Sequence, residues 1–196
     1  MKLKRYNQFL ESKSDMWDII RQSVKELHEL FQSAGKKLYL VGGSVRDFLT
    51  GDKPKDFDLA TDALPDEVLE IVGDKFRTNL QGKAFGVVVV YTKEVPEGME
   101  IATFRSDIYD GQLGKSRNPD VKFTTIDQDV LRRDLRINGL FYDLDKKEIV
   151  DLVGGIDDIK NGVIGMIGDP DLRIKEDPLR ILRAITAQKK YKLRIK

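Results

Sequence analysis

Two aspartates, Asp56 and Asp58, stand two residues apart in KDFDLAT, a segment whose polar and apolar side chains alternate as in a β-strand. On a strand, that spacing points both carboxylates from one face. Like charges so placed repel each other unless a cation sits between them. Hard oxygen donors that leave room for substrate phosphates suit Mg2+. The same pattern also serves an exposed, solvated strand face, so the pair takes its meaning from its surroundings. Glu100, on the strand-like segment MEIATFR, offers a third carboxylate for the metal that activates an attacking hydroxyl, as in a two-metal site.

Upstream, KLYLVGG is a short apolar run stopped by two glycines, and SVRDFLTG reads as a short helix that Ser44 opens and Gly51 closes. A strand that ends in glycine and opens a helix aims free backbone N–H groups at one point. Glycine lets a phosphate approach the backbone, and a helix N-terminus favours an anion. Gly43 and Arg46 are therefore candidates for phosphate binding. Neither a Walker A loop nor a dinucleotide-binding glycine fingerprint is present.

Two more charged groups stand out. Arg132 and Arg133 end a helical segment and form a fork for phosphate or ribose oxygens, which Asp134 is placed to orient. Glu176-Asp177-Pro178-Leu179-Arg180 starts the last helix, with Arg183 one turn further on. An Asp acceptor beside an Arg donor matches the polar edge of a nucleobase. Helix capping and salt bridges spaced three residues apart account for the same residues without a ligand.

The elements that must carry these groups follow from periodicity. Residues 15–34 have a helical apolar repeat that Gly35 ends. LPDEVLEIVG is helical, FGVVVVYT is the most β-branched strand, and KEVPEG is a hairpin-like connection to MEIATFR. Residues 106–122 lack periodicity and hold several turn formers, so they are expected to be a mobile loop. IDQDVLRRD is helical. INGLFYD and KKEIVDL form a last strand pair, and from Gly154 the pattern is helical with one short strand near Val163–Ile167. These elements give an α+β core, 36–153, after an N-terminal helix, 1–35, and before the start of a helical unit, 154–196.

Composition narrows the class. The chain has 196 residues, 40% hydrophobic and 34% charged, which reads as a globular, well-solvated protein. No window approaches a membrane span, and the N-terminus lacks the apolar stretch of a secretory signal. Absence of cysteine excludes disulfides and thiolate–zinc sites and fits a cytoplasmic home. The net charge of +1 argues against a strongly basic nucleic-acid glove. The C-terminal KKYKLRIK is basic and reads either as a phosphate-attracting tail or as a frayed, solvated end.

All these pieces occur in one order, and in that order the chain resembles the class II tRNA nucleotidyltransferases (CCA-adding enzymes) and the related bacterial poly(A) polymerases. The matching segments are LVGGSVRDFLTG, KDFDLAT, GKAFGVVVV, EIATFRSD, LRRDLRINGLFYD, DLVGGIDDIKNGVI and EDPLRILRA, covering about 35 to 190. The resemblance implies a polymerase-β-like palm of roughly five strands in a mixed sheet, followed by the start of a helical neck. It implies Asp56 and Asp58 as metal ligands, Gly43 and Arg46 as phosphate contacts, and Arg132, Arg133 and Asp134 as the ribose motif. Asp177 and Arg180 match the pair that reads C or A without a template, Arg183 matches a further pocket residue, and Asn138 joins the nucleotide-binding set. The loop at 106–122 corresponds to the family's flexible loop.

The chain departs from the family pattern at Arg136, Gly139 and Thr186. It also ends at Lys196, just inside the neck, without the body and tail that grip tRNA in the family. The expected activity is CCA addition to a tRNA 3′ end from CTP and ATP, by a chain that is either a fragment or a minimal enzyme whose RNA grip comes from other means, such as a second copy of the chain or a partner protein. A poly(A) polymerase is the alternative reading, and a catalytically silent nucleotide-binding module is the reading from another class.

Overall fold

The computed structural model describes residues 16–108 and 120–196. The N-terminal segment, on which the expectation of no secretory signal rests, lies outside the described residues. Two helices come first, α1 (Met16–Ile19) and α2 (Gln22–Ser33). The single helix expected over 15–34 is thus broken at Ile20–Arg21. Arg21 has an extended backbone there, and its guanidinium donates to the carbonyls of Glu94 and Lys55. Tertiary hydrogen bonds override helical propensity at this point.

Next come β1 (Leu38–Val41), α3 (Gly43–Leu49), β2 (Asp58–Thr61), α4 (Pro65–Val72), β3 (Arg77–Asn79), β4 (Val87–Tyr91) and β5 (Met99–Thr103). After them lie β6 (Arg105–Ile108), β7 (Asp120–Phe123), α5 (Ile126–Arg132), β8 (Leu140–Asp143) and β9 (Glu148–Asp151). The chain closes with α6 (Gly155–Lys160), β10 (Val163–Ile164), α7 (Pro170–Glu176), α8 (Leu179–Tyr191) and β11 (Arg194–Ile195).

The main sheet has 7 strands in the order β3-β4-β5-β2-β1-β8-β9, not roughly five. Strand β3, the member that no sequence segment suggested, is short and polar, so no apolar alternation announces it. Only β2 and β5 run parallel; the other neighbours are antiparallel, which makes the sheet mixed. Residues 105–108 and 120–123 do not belong to a loop. They pair as an antiparallel ribbon, Arg105 opposite Phe123 and Ile108 opposite Asp120, and the centre of the expected loop lies outside the described residues.

Strand β1 is buried on both faces, and its alternation sorts the core into two layers. Leu38 and Leu40 join Val24, Leu27 and Phe31 of α2 and Val68 and Val72 of α4. Tyr39 and Val41 face the other way, with Ala60, Phe104, Phe141, Val130 and Ile167. The larger cluster continues past Gly154 through Ile159, Ile164, Ala184 and Tyr191.

The basic C-terminal stretch is neither frayed nor fully solvated. Tyr191 is 2% exposed, Leu193 is buried, β11 pairs in parallel with β10, and Lys196 Nζ lies 2.9 Å from Asp158 Oδ1. Burial of Tyr191 and Leu193 outweighs the solvation of the basic residues around them.

Candidate active site

Asp58 opens β2 opposite Val41 of β1, and β2 lies in parallel register with β5, Leu59 beside Ile101. Asp58 and Glu100, each one residue before that pair, are therefore neighbours on one sheet face. Asp56 precedes the first strand residue instead of sharing the strand, yet it lines the same cavity of about 160 Å3 as Asp58 and Glu100. Buried Phe57 separates the two aspartates and anchors them. Asp58 keeps solvent contact, but the protein around it desolvates the carboxylate. That burial, then Glu100 and Asp56, push its pKa up, while Arg133 opposes them. Among the described residues, no three His, Cys, Asp or Glu side chains gather into a complete ligand cage.

A second cavity, of about 450 Å3, is lined by every residue expected to bind nucleotide: Gly43, Arg46, Arg132, Arg133, Asp134, Asn138, Asp177, Arg180 and Arg183. A larger cavity of about 660 Å3 lies between α2 and the β3–β4 edge and holds none of them. The cavity that gathers the candidate residues is the smaller and more charged of these two.

Local sequence explains how these side chains reach it. Gly42 turns β1 into α3 with φ 64° and ψ −116°, a backbone that side chains disfavour. The turn delivers Arg46, whose Nη1 donates to Asn138 Oδ1 and whose Nε and Nη2 donate to Asp47 Oδ1 at 3.1 and 2.9 Å. Its guanidinium also lies 4.4 Å from the Tyr191 ring centroid.

The arginine pair is organised differently from the sequence expectation. Asp129, not Asp134, orients it: Oδ1 accepts from Arg132 Nε at 2.9 Å, and Oδ2 accepts from Arg133 Nε and Nη2 at 3.0 and 2.9 Å. The carboxylate is 1% exposed and also accepts the Arg105 backbone N–H, tying the β6–β7 ribbon to the same point. Arg133 rests over Phe141 at 4.8 Å, and burial lowers its pKa against the pull of Asp129. Asp134 instead accepts from Leu135 N–H, Asn138 Nδ2 and Arg183 Nε.

At the start of α8, Asp177 pairs with Arg183 at 2.7 Å, and its other oxygen caps the Leu179 N–H. Burial opposes ionisation of Asp177, but those hydrogen bonds outweigh it and hold the pKa below the ordinary carboxylate value. Arg180 is 3% exposed and donates through Nη1 to Glu176 and to the Arg173 carbonyl. The Asp177 cap anticipated for this segment is thus realised, but its ion pairs are Glu176–Arg180 and Asp177–Arg183, four and six residues apart instead of three, with Asp177 and Arg180 both on the cavity wall.

Sequence reasoning took the Gly42–Gly43 pair as the turn but passed over Arg105, Asp107 and Asp129. Arg105 and Asp107 line the 450 Å3 cavity from β6, with Arg105 Nε 3.3 Å from Asp107 Oδ1. The signal was available: EIATFRSD stood among the matching segments. Asp129 gave no comparable signal, because an acid inside an amphipathic helix is ordinarily solvated.

Comparison with known proteins settles the lineage. The poly A polymerase head domain family matches residues 38–165. The chain belongs to this family. Poly(A) polymerase I of Salmonella typhi is 42% identical over 91% of the chain, and the CCA-adding enzyme of Lactobacillus helveticus is 38% identical over 90%. The chain spans 39% and 43% of the length of these relatives. The crystal structure of the Bacillus stearothermophilus CCA-adding enzyme in complex with CTP superposes with TM-score 0.75 at 31% identity, over 89% of this chain and 40% of that one. The fold is the family's α+β nucleotidyltransferase head, and no helix among the described residues is long and apolar enough to cross a membrane.

Proposed function

We propose that this chain forms the catalytic head of a template-independent nucleotidyltransferase that adds C and A to a tRNA 3′ end from CTP and ATP. The observation that carries this reading is the 450 Å3 cavity: phosphate-, ribose- and base-binding candidates from distant segments converge on it, and Arg133 on its wall acts electrostatically on Asp58. The structural relative bound to CTP supports the same assignment.

In this reading Gly43 and Arg46 hold the triphosphate, Arg132 and Arg133 hold ribose or phosphate oxygens, and Asp134 and Asn138 fix the edge between them. Asp177 and Arg180 present acceptor and donor to the Watson–Crick edge of the base, with Arg183 holding Asp177 in place. Residues 154–196 serve as the start of the neck that carries this wall. Asp56, Asp58 and Glu100 suit magnesium by donor type, since all their donors are carboxylate oxygens lining one cavity. Bound magnesium would neutralise phosphate charge and favour ionisation of the attacking hydroxyl.

Poly(A) addition is the second reading, favoured by the 42% identity to a poly(A) polymerase I over 91% of the chain. Labelled CTP and ATP on a tRNA that lacks its CCA end separate the two. Growth that stops after the CCA end is complete supports the first, and a long tail from ATP supports the second. No extension with nucleotide bound removes both.

A further inference from the structure

The contact between α3 and the last turn of α8 joins the two walls of the nucleotide cavity. Asp47 follows Arg46 on α3 and is 7% exposed. Its Oδ1 accepts the Tyr191 hydroxyl at 2.8 Å and, on the other side, Arg46 Nε and Nη2. Lys190 Nζ approaches Oδ2 at 3.5 Å. The Tyr191 ring lies 4.4 Å from the Arg46 guanidinium carbon. Arg46 is thus fixed on its face by Tyr191 and on its edge by Asp47, and Asp47 is itself fixed by the hydroxyl of the same tyrosine. Burial raises the Tyr191 pKa, so the hydroxyl stays a donor at neutral pH.

We propose that Asp47 and Tyr191 are positioning residues for nucleotide binding, acting through Arg46 on the triphosphate. The inference rests on the reading of Arg46 as a phosphate contact. A guanidinium left to itself rotates among many rotamers, and a fork held in place loses less entropy for each hydrogen bond it makes to an anion. The stacked ring and the buried carboxylate hold it so. The same contact makes α8 a single rod between two parts of the site. Its first turns present Arg180 and Arg183, and its last turn sets Arg46. A shift of α8 therefore alters base and phosphate contacts together.

The test compares ATP with adenosine, which share a base and ribose but not the phosphates. Tyr191→Phe removes the hydroxyl and keeps the ring; Asp47→Asn keeps the shape and removes the charge. Affinities of the full chain for both ligands are measured by calorimetry with magnesium, alongside the melting temperature. Each variant is expected to bind ATP roughly 3- to 10-fold more weakly, the loss of about one hydrogen bond, with adenosine affinity changed less than about twofold. In the double variant the ATP losses are expected to be less than multiplicative, since both act through one guanidinium. Equal losses for ATP and adenosine, or no loss for either, would overturn the proposal and leave the contact a packing one. Arg46→Ala is the control: if it fails to separate ATP from adenosine, the phosphate reading of the cavity fails instead.

Discussion

Asp129 holds Arg133 from one helical turn away, and the same 1%-exposed carboxylate holds Arg132 through its other oxygen. A buried anion shared by two arginines costs little only while all its partners remain. Asp129→Ala would leave Arg133 buried beside Phe141 without its counter-charge. The expected loss is about 3–5 kcal/mol of stability, read as a lower midpoint in urea, with nucleotide affinity falling at the same time. Asp129→Asn, which retains an acceptor, is expected to lose less of both.

Asp58→Ala is expected to abolish nucleotide transfer while ATP affinity falls much less. The cavity that holds Arg46, Asp134 and Arg183 does not include Asp58. Burial first, then the charges of Glu100 and Asp56, raise the Asp58 pKa. Magnesium should therefore raise the melting temperature of the parent chain by binding the folded form, and this rise should shrink in the variant. A variant that transfers at the parental rate would remove the carboxylates from the mechanism.

The candidate site was legible in outline because its residues lie in short segments where strand, glycine turn and helix succeed one another, as in LVGGSVRDFLTG. Strand alternation picked out Asp56, Asp58 and Glu100, and the glycine turn beside them gave them meaning, although β2 in fact begins at Asp58. What stayed hidden depends on contacts between distant segments. Asp129 looks like any acid on an amphipathic helix until Arg105 arrives from β6. Arg21 breaks a helix that periodicity joins, because its partners are carbonyls of Glu94 and Lys55. β3 is polar and gains its place only as the edge of the sheet beside β4.

Gly42→Ala tests the turn that delivers Arg46. A Cβ at this position would meet Asn138 O at 3.8 Å and Arg133 Nη1 at 3.9 Å, ordinary contact distances. The penalty is therefore in the backbone, whose φ of 64° disfavours any side chain. A destabilisation of about 1–3 kcal/mol is expected, together with weaker ATP binding as the turn relaxes and moves α3. Circular dichroism melting and calorimetry on the same variant would check both.

The ion pair of Arg183 with Asp177 predicts a pH signature. The folded pKa of Asp177 lies below its ordinary value, so the stabilisation is present above the unfolded pKa and is lost as pH falls through the folded one. Arg183→Gln should lower stability at neutral pH by ~0.2–1 kcal/mol, the range for a partly exposed pair. The gap from the parent should close on acidification. If Asp177 also reads the base, the same variant should raise the use of UTP or GTP relative to CTP and ATP. A uniform loss with all four nucleotides would confine the pair to capping α8.

The last prediction concerns RNA grip. Deleting 189–196 is not a clean test of the basic end, because Tyr191 and Leu193 are core residues and β11 pairs with β10; the truncated chain should be strongly destabilised. Exposed Lys189, Lys192 and Arg194 can be neutralised instead, since none of their side chains is part of the core. Each phosphate neutralised by a protein cation releases counterions, so the logarithm of affinity falls with the logarithm of salt by about 0.7 per contact on a single strand and 0.9 on a duplex. With a net charge of +1, this chain should bind tRNA weakly and with a shallow slope. Replacing the three residues by Gln should flatten the slope by up to about two to three if all three touch phosphate, while ATP affinity and melting temperature stay near parental values. An unchanged slope would assign these cations to solvent and move RNA contact elsewhere on the head. Tight binding by a monomer that persists at high salt would show a grip that owes little to phosphate charge.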